Sequence, residues 1–244
     1  MKTPIQSKLS QAYVKPVVVV AFLIGLCLAG ISAPAAIISD NFAGHTIGAL
    51  LNGTITPTGN ATWAAVGCQF AGTGATSDYL VADAWASGFV GVTSVATDTV
   101  TLQLAIKANA GWASMKMGPT NAESPVTDGL GVTVTADGVC DVWINGSDMF
   151  RYTGDKYSYT ATGFNLFKME YNDNTNTLNM WANGVPLLVN DTVTLPGVIQ
   201  YAGGFYGTSA ASYDDFQVSV VPEPATLALL ALGVLTLIRR GRRD

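Results

Sequence analysis

The chain alternates apolar and polar positions with a period of two along most of its length. Thr99–Lys107 (TVTLQLAIK) places Val100, Leu102, Leu104 and Ile106 on one face and polar residues with Ala105 on the other. Val132–Thr135 repeats the alternation and stops at Ala136-Asp137-Gly138, where Asp-Gly predicts a tight hairpin with both central residues at positive φ. Val139–Ile144 then runs into Asn145-Gly146. Phe164–Tyr171 turns at Asn172–Thr175, and Thr177–Trp181 runs into Asn183-Gly184. Val198–Phe205 and Tyr213–Val220 complete the set. No segment between residues 37 and 220 sustains a 3.6-residue period, so the body reads as all-β.

Trp143-Ile144-Asn145-Gly146 and Trp181-Ala182-Asn183-Gly184 are one W-x-N-G tetrad written twice, 38 residues apart. Each sets a large aromatic two residues ahead of an Asn-Gly turn. That predicts two hairpins of similar build, with Trp fixing register by cross-strand packing. Two copies do not make the regular period of a propeller.

Both ends depart from this pattern. At the front, Lys2, Lys8 and Lys15 precede the apolar run Val17–Ile31, and Ala33-Pro34-Ala35 supplies small residues for cleavage within 33–36. This is the layout of a secretory signal peptide, with a membrane anchor as the alternative. At the back, Pro222-Glu223-Pro224 precedes the apolar run Ala225–Ile238 and the basic cluster Arg239, Arg240, Arg242 and Arg243. A helix of those 14 residues would reach only ~21 Å, against ~30 Å of hydrocarbon. The expected organisation is a signal peptide at 1–36 in a short helix, a sandwich at 37–220, and a tail at 221–244 with its own apolar helix.

The tail, with its Pro-Glu-Pro, apolar and basic parts in order, resembles the PEP-CTERM sorting signal of Gram-negative bacteria. The resemblance implies export, transient retention in the membrane, processing by an exosortase near the motif, and a final place at the cell surface or in an extracellular matrix. Proteins of that class are associated with exopolysaccharide and biofilm. Three stretches of the body, Ser39-Asp40-Asn41-Phe42, Phe167–Leu187 and Ser212–Val218, resemble concanavalin A-like, laminin-G-like jelly rolls. That resemblance implies an antiparallel β-sandwich whose first and last strands lie side by side. An immunoglobulin-like sandwich is the competing fold.

Charge narrows the partners. Charged residues are 12% of the chain, about half the usual share. Residues 37–220 hold five basic and fifteen acidic side chains, a net −10. Such a body has no electrostatic footprint for nucleic acid.

Catalytic patterns are sparse. The body has two glutamates, Glu123 and Glu170, and lacks the E-x-D-x-E strand that would pair an acid with a nucleophile for glycoside hydrolysis. His45 is the chain's one histidine, without a G-x-S-x-G elbow, and reads as a loop residue. No cofactor is expected. Calcium is the one metal with enough hard oxygen ligands: Asp40, Asp214 and Asp215 at a shared edge, with Asn41 and Asn172-Asp173-Asn174 nearby in kind, unless these are ordinary turn residues. Cys68 and Cys140, the pair left after signal-peptide removal, read either as a disulfide or as two separate buried thiols. Of five tryptophans, Trp85 and Trp112 lie nearest predicted loops and are the candidates for stacking on sugar, against a packing role. The reading is a non-catalytic surface protein that adheres to or contacts extracellular polysaccharide. A polysaccharide-acting enzyme and a purely structural surface protein are the alternatives.

Overall fold

Inward-facing alternation becomes a two-sheet sandwich in a computed structural model of the chain, which describes residues 35–71, 74–77, 86–96, 98–121, 128–207 and 211–222. The expected signal segment and the apolar tail helix lie outside the described residues. Among those described, no helix is long and apolar enough to cross a membrane. The compact unit they form runs from Ala35 to Pro222.

Among the described residues fifteen strands follow in chain order: β1 (Ala36–Asp40), β2 (Trp63–Val66), β3 (Cys68–Phe70), β4 (Ala75–Ser77), β5 (Ser87–Gly91), β6 (Thr99–Ala108), β7 (Trp112–Gly118) and β8 (Leu130–Thr135). Then come β9 (Cys140–Ile144), β10 (Ser147–Tyr152), β11 (Asn165–Asn172), β12 (Thr177–Ala182), β13 (Val185–Thr192), β14 (Tyr201–Gly207) and β15 (Ala211–Val221). One sheet has eight strands in the order β13-β12-β11-β6-β15-β4-β3, with β1 also on β15. The other has seven, in the order β10-β9-β8-β7-β14-β5-β2. Every pairing is antiparallel. The sandwich is therefore larger than the seven to nine strands of an immunoglobulin-like domain.

The core lies between the sheets. Val100, Leu102, Leu104 and Ile106 of β6 are almost wholly buried, as are Met115, Met117, Val132 and Val134 from the other sheet. Each such large side chain contributes roughly 1.5–3 kcal/mol on leaving water. As the jelly-roll resemblance implies, β1 pairs with β15, from Ala36↔Val220 to Asp40↔Phe216.

Strand β15 shows how local sequence handles a conflict. Its apolar residues Tyr213, Phe216, Val218 and Val220 are spaced three, two and two apart, and all four are buried. The odd spacing requires an extra residue. The pairing with β6 slips between Asp214 and Gln217, and Asp215 takes φ +50°. This β-bulge keeps Tyr213 and Phe216 both inside and turns two adjacent aspartates outward.

The two Asn-Gly turns form as expected, with φ of 47° and 86° at Asn145-Gly146 and 49° and 78° at Asn183-Gly184. Asp137-Gly138 differs. Only Gly138 has positive φ there, at 85°. The loop is one residue longer than a two-residue turn, because Thr135 N–H donates to the Val139 carbonyl at 2.8 Å and Val139 N–H to the Thr135 hydroxyl at 2.9 Å. Strand β14 begins at Tyr201 rather than Val198 because Gln200 serves as a bridge outside the strand. It donates to the Gly118 carbonyl and accepts from Val92 N–H.

The tetrad asparagines also act at a distance. Asn183 Nδ2 reaches the carbonyls of Tyr157 and Ser158 and Oδ1 of Asn165, while its own Oδ1 accepts Leu166 N–H. Asn145 makes two such bonds, to the Thr194 carbonyl and from Gly129 N–H. Asn183→Ala is expected to cost about 2–3 kcal/mol, and Asn145→Ala less. Denaturant midpoints of the two variants against the parent check the order.

Candidate functional site

Antiparallel register turns alternate residues of neighbouring strands into straight rows across a sheet face. On the outer face of the eight-stranded sheet one row runs Ser39, Gln217, Gln103, Lys168, Trp181. Its members pair as Ser39↔Gln217, Gln217↔Gln103, Gln103↔Lys168 and Lys168↔Trp181 across β1, β15, β6, β11 and β12. A second row, Ser219, Thr101, Glu170 and Asn179, lies two residues further along the same strands.

The middle of this face is internally wired. Lys168 Nζ lies 4.6 Å from the Trp181 ring centroid and 3.5 Å from Glu170 Oε2. Asn179 Nδ2 donates to Glu170 Oε1 at 3.4 Å. Lys168 thus bridges an aromatic face and a carboxylate, both half-exposed. Towards β1 the row is unspent: among the described residues, the side-chain amides of Gln103 and Gln217 make no hydrogen bond within the protein.

Those amides open into a groove of about 370 Å³, lined also by Ser39, Asn41, Thr58 and Asp215. A second groove of about 450 Å³, with His45, Asp214 and Asp215 on its walls, shares Asn41 and Asp215 with the first. The topology explains both. The far edge of β15 is covered by β4 opposite Ala211–Tyr213 and by β1 opposite Phe216–Val220. The change of partner falls at the bulge, where neither β4 nor β1 pairs with Asp214 or Asp215 on that edge.

Asp40 holds this edge together. Its side chain is 1% exposed; Oδ1 accepts Phe42 N–H at 2.7 Å and Oδ2 accepts Trp63 Nε1–H at 3.0 Å. Trp63 belongs to the other sheet, so one carboxylate ties the end of β1 across the sandwich. The Trp63 ring packs 4.7 Å from Phe216 and 5.8 Å from Phe42. The structure brings Asp40, Asp214 and Asp215 to one edge, as the calcium reading requires. Both oxygens of Asp40 are engaged within the fold, and among the described residues no three His, Cys, Asp or Glu side chains group in metal-binding geometry. Burial pushes the Asp214 carboxyl up, reinforced by the charges of Asp215 and Asp40 and opposed by the bond from Asp215 N–H.

The remaining candidates fall elsewhere. Trp112 opens β7, half-buried opposite Thr135 on the seven-stranded sheet, away from the rows and grooves. Trp85 lies outside the described residues. His45 stacks on Phe70 at 3.8 Å with the rings nearly parallel. Trp181, which sequence reasoning assigned to hairpin packing, is the tryptophan that joins the row.

In the structure Cys68 and Cys140 are separate, buried free thiols. Cys68 is on β3 and Cys140 on β9, in different sheets, and Cys68 Sγ donates to the Ser87 carbonyl at 3.4 Å. Burial, then the neighbouring Asp141 charge, push the Cys140 thiol well above its ordinary range, so it is inert. Both thiols should react with iodoacetamide in the exported protein only after denaturation. Resistance of the denatured, unreduced protein to alkylation would instead reveal a bridge.

Comparisons with known proteins bear on the fold and the tail. Trypanosoma rangeli sialidase, solved in complex with sialic acid, superposes with a TM-score of 0.51 at 10% identity over 85% of this chain. The chain spans 36% of the sialidase's length. A lectin from Bauhinia forficata in complex with GalNAc gives a TM-score of 0.49 at 9% identity, over 77% of this chain and 99% of the lectin. At 10% identity the likeness to the sialidase is one of fold. No curated protein matches the chain. Residues 220–243 match the family model described as the PEP-CTERM protein-sorting motif. The chain thus carries a PEP-CTERM motif, the signal of exosortase-sorted export, behind a two-sheet antiparallel sandwich.

Proposed function

We propose that this protein is a non-catalytic, surface-displayed glycan-contacting protein, released from membrane retention by exosortase processing of its tail. The observation that carries the reading is the in-register row Ser39–Gln217–Gln103–Lys168–Trp181. It sets one half-exposed aromatic ring and a line of amide, ammonium and hydroxyl groups on a flat sheet face, ending in a groove. Sugars offer hydroxyls to such donors and acceptors and apolar faces to aromatic rings. The groove's size lies within the range of small-ligand sites. A binding role is also supported by the state of Glu170, whose carboxylate is held by Lys168 and Asn179.

A glycan array on the exported protein tests this reading, with Trp181→Ala and Gln103→Ala as variants. Binding should weaken about tenfold in each, near 1.4 kcal/mol, with folding unchanged by circular dichroism. Absence of binding at millimolar sugar would leave a purely structural surface protein. Cleavage of an array glycan, lost on Glu170→Gln, would show an enzyme. Separately, intact-mass measurement of the secreted form should show a chain shortened near Pro222-Glu223-Pro224. A retained C-terminal arginine cluster would refute processing.

A further inference from the structure

The two carboxylates that face one another at the rim of the eight-stranded sheet stand apart from the grooves. The β6–β11 ladder ends at Thr99↔Asn172. One step beyond it, Asp98 and Asp173 are directly opposite, and Asp173 N–H donates to the Asp98 main-chain carbonyl at 3.1 Å. Each lies two residues from a buried member of the adjoining strand, Val100 on β6 and Tyr171 on β11. Like charges placed opposite each other across a ladder repel.

Asp98 is 4% exposed. Its Oδ2 accepts Val95 N–H at 2.8 Å, but its buried Oδ1 has no hydrogen-bond partner among the described residues. A buried carboxylate oxygen with nothing to accept costs free energy unless a proton or a cation meets it. The ion pairs among the described residues engage Asp128, Asp141, Asp148 and Glu170, and none reaches this pair. Burial and the Asp98 charge push the Asp173 carboxyl up.

Neutral oxygens complete the surroundings. The Tyr171 hydroxyl donates at 3.1 Å to Asn176 Oδ1 and at 3.1 Å to the Val193 carbonyl, and it also interacts with the Asp173 carboxyl. Asp173 thus has the Tyr171 phenol as a neutral oxygen neighbour, and Asn176 Oδ1 and the Val193 carbonyl bond to that same hydroxyl. Asp173 is only half-buried.

We propose that Asp98 and Asp173 form a calcium site that joins the chain just before β6 to the β11–β12 hairpin. Hard oxygen ligands select hard divalent cations, and turn-borne ligands without octahedral order favour calcium over magnesium. Only two ligands are charged, which places the affinity with extracellular modules, roughly 0.1–1 mM. The inference is independent of the glycan reading.

The test is thermal unfolding of the full chain, first stripped with EDTA, then in 10 mM calcium or 10 mM magnesium. Calcium at tenfold excess over its dissociation constant should raise Tm by about 3–6 °C. Asp173→Asn, a near-isosteric change at the half-exposed partner, should fold and lose that shift. Terbium(III), a luminescent calcium surrogate, should be sensitised through Tyr171 in the parent and dark in Asp173→Asn. The proposal is overturned by an unchanged Tm in calcium, by an equal shift in Asp173→Asn, or by an equal effect of magnesium. A parent that ignores calcium but gains stability on acidification, beside an Asp173→Asn variant already more stable, would show the pair sharing a proton instead.

Discussion

The register of β6 against its two neighbours is the constraint on which the rest depends. This strand pairs with β15 on one side and β11 on the other, and its side chains alternate between core and surface. A slip of one residue would send Val100, Leu102, Leu104 and Ile106 outward. It would also break the line from Ser39 to Trp181 and separate Asp98 from Asp173. The burial that stabilises the sandwich is thus the same force that aligns the polar row. Surface chemistry here is a by-product of core packing, held to about one residue's precision by the cost of exposing four large aliphatic side chains.

The grooves have a different origin. They exist because β15 is longer than either strand along its far edge, so β4 and β1 cover it in turn. The bulge falls where neither reaches, and its extra residue is an aspartate. Asp40 then compensates for the interruption by fixing the end of β1 to Trp63 of the opposite sheet. An edge that would otherwise expose unpaired backbone is closed by a buried carboxylate, two aromatic contacts and a turn at Phe42, with φ of 55°. Asp215 suits the bulge because short polar side chains best tolerate left-handed φ.

Much of the fold was legible because it is locally encoded. The strands around Thr99–Lys107 and Thr177–Trp181, and both Asn-Gly hairpins, follow from period-two alternation and turn chemistry. The bulge is written in the three-two-two spacing of Tyr213, Phe216, Val218 and Val220. Strands β2 to β5 escaped the reading because WAAV, CQF, ATS and SGFVG are short and rich in small residues. They are strands only because longer neighbours offer them partners. The candidate site was missed for the same reason. Gln103, Lys168 and Trp181 look like unremarkable outward residues of separate strands, and only non-local register makes them neighbours. Trp112 fits a loop-edge rule from sequence yet lies on the opposite sheet. The cysteines show the limit most plainly, since an even pair in an exported protein says nothing about which sheet each thiol occupies.

The two ends of the β1–β15 pair have different surroundings. Ala36 pairs with Val220, and Val221 with Thr99, so both ends of the folded unit meet at one rim. The sorting motif begins at residue 220, inside the last strand, and Pro222 ends the ladder because it has no N–H to contribute. Asp98 adjoins Thr99 at this same rim. The grooves lie at the other end of β1, four residue steps and roughly 13 Å away at ~3.3 Å per residue. A cation at Asp98 and Asp173 would therefore brace the rim that carries the chain's exit, while the polar row and its grooves stay clear of it.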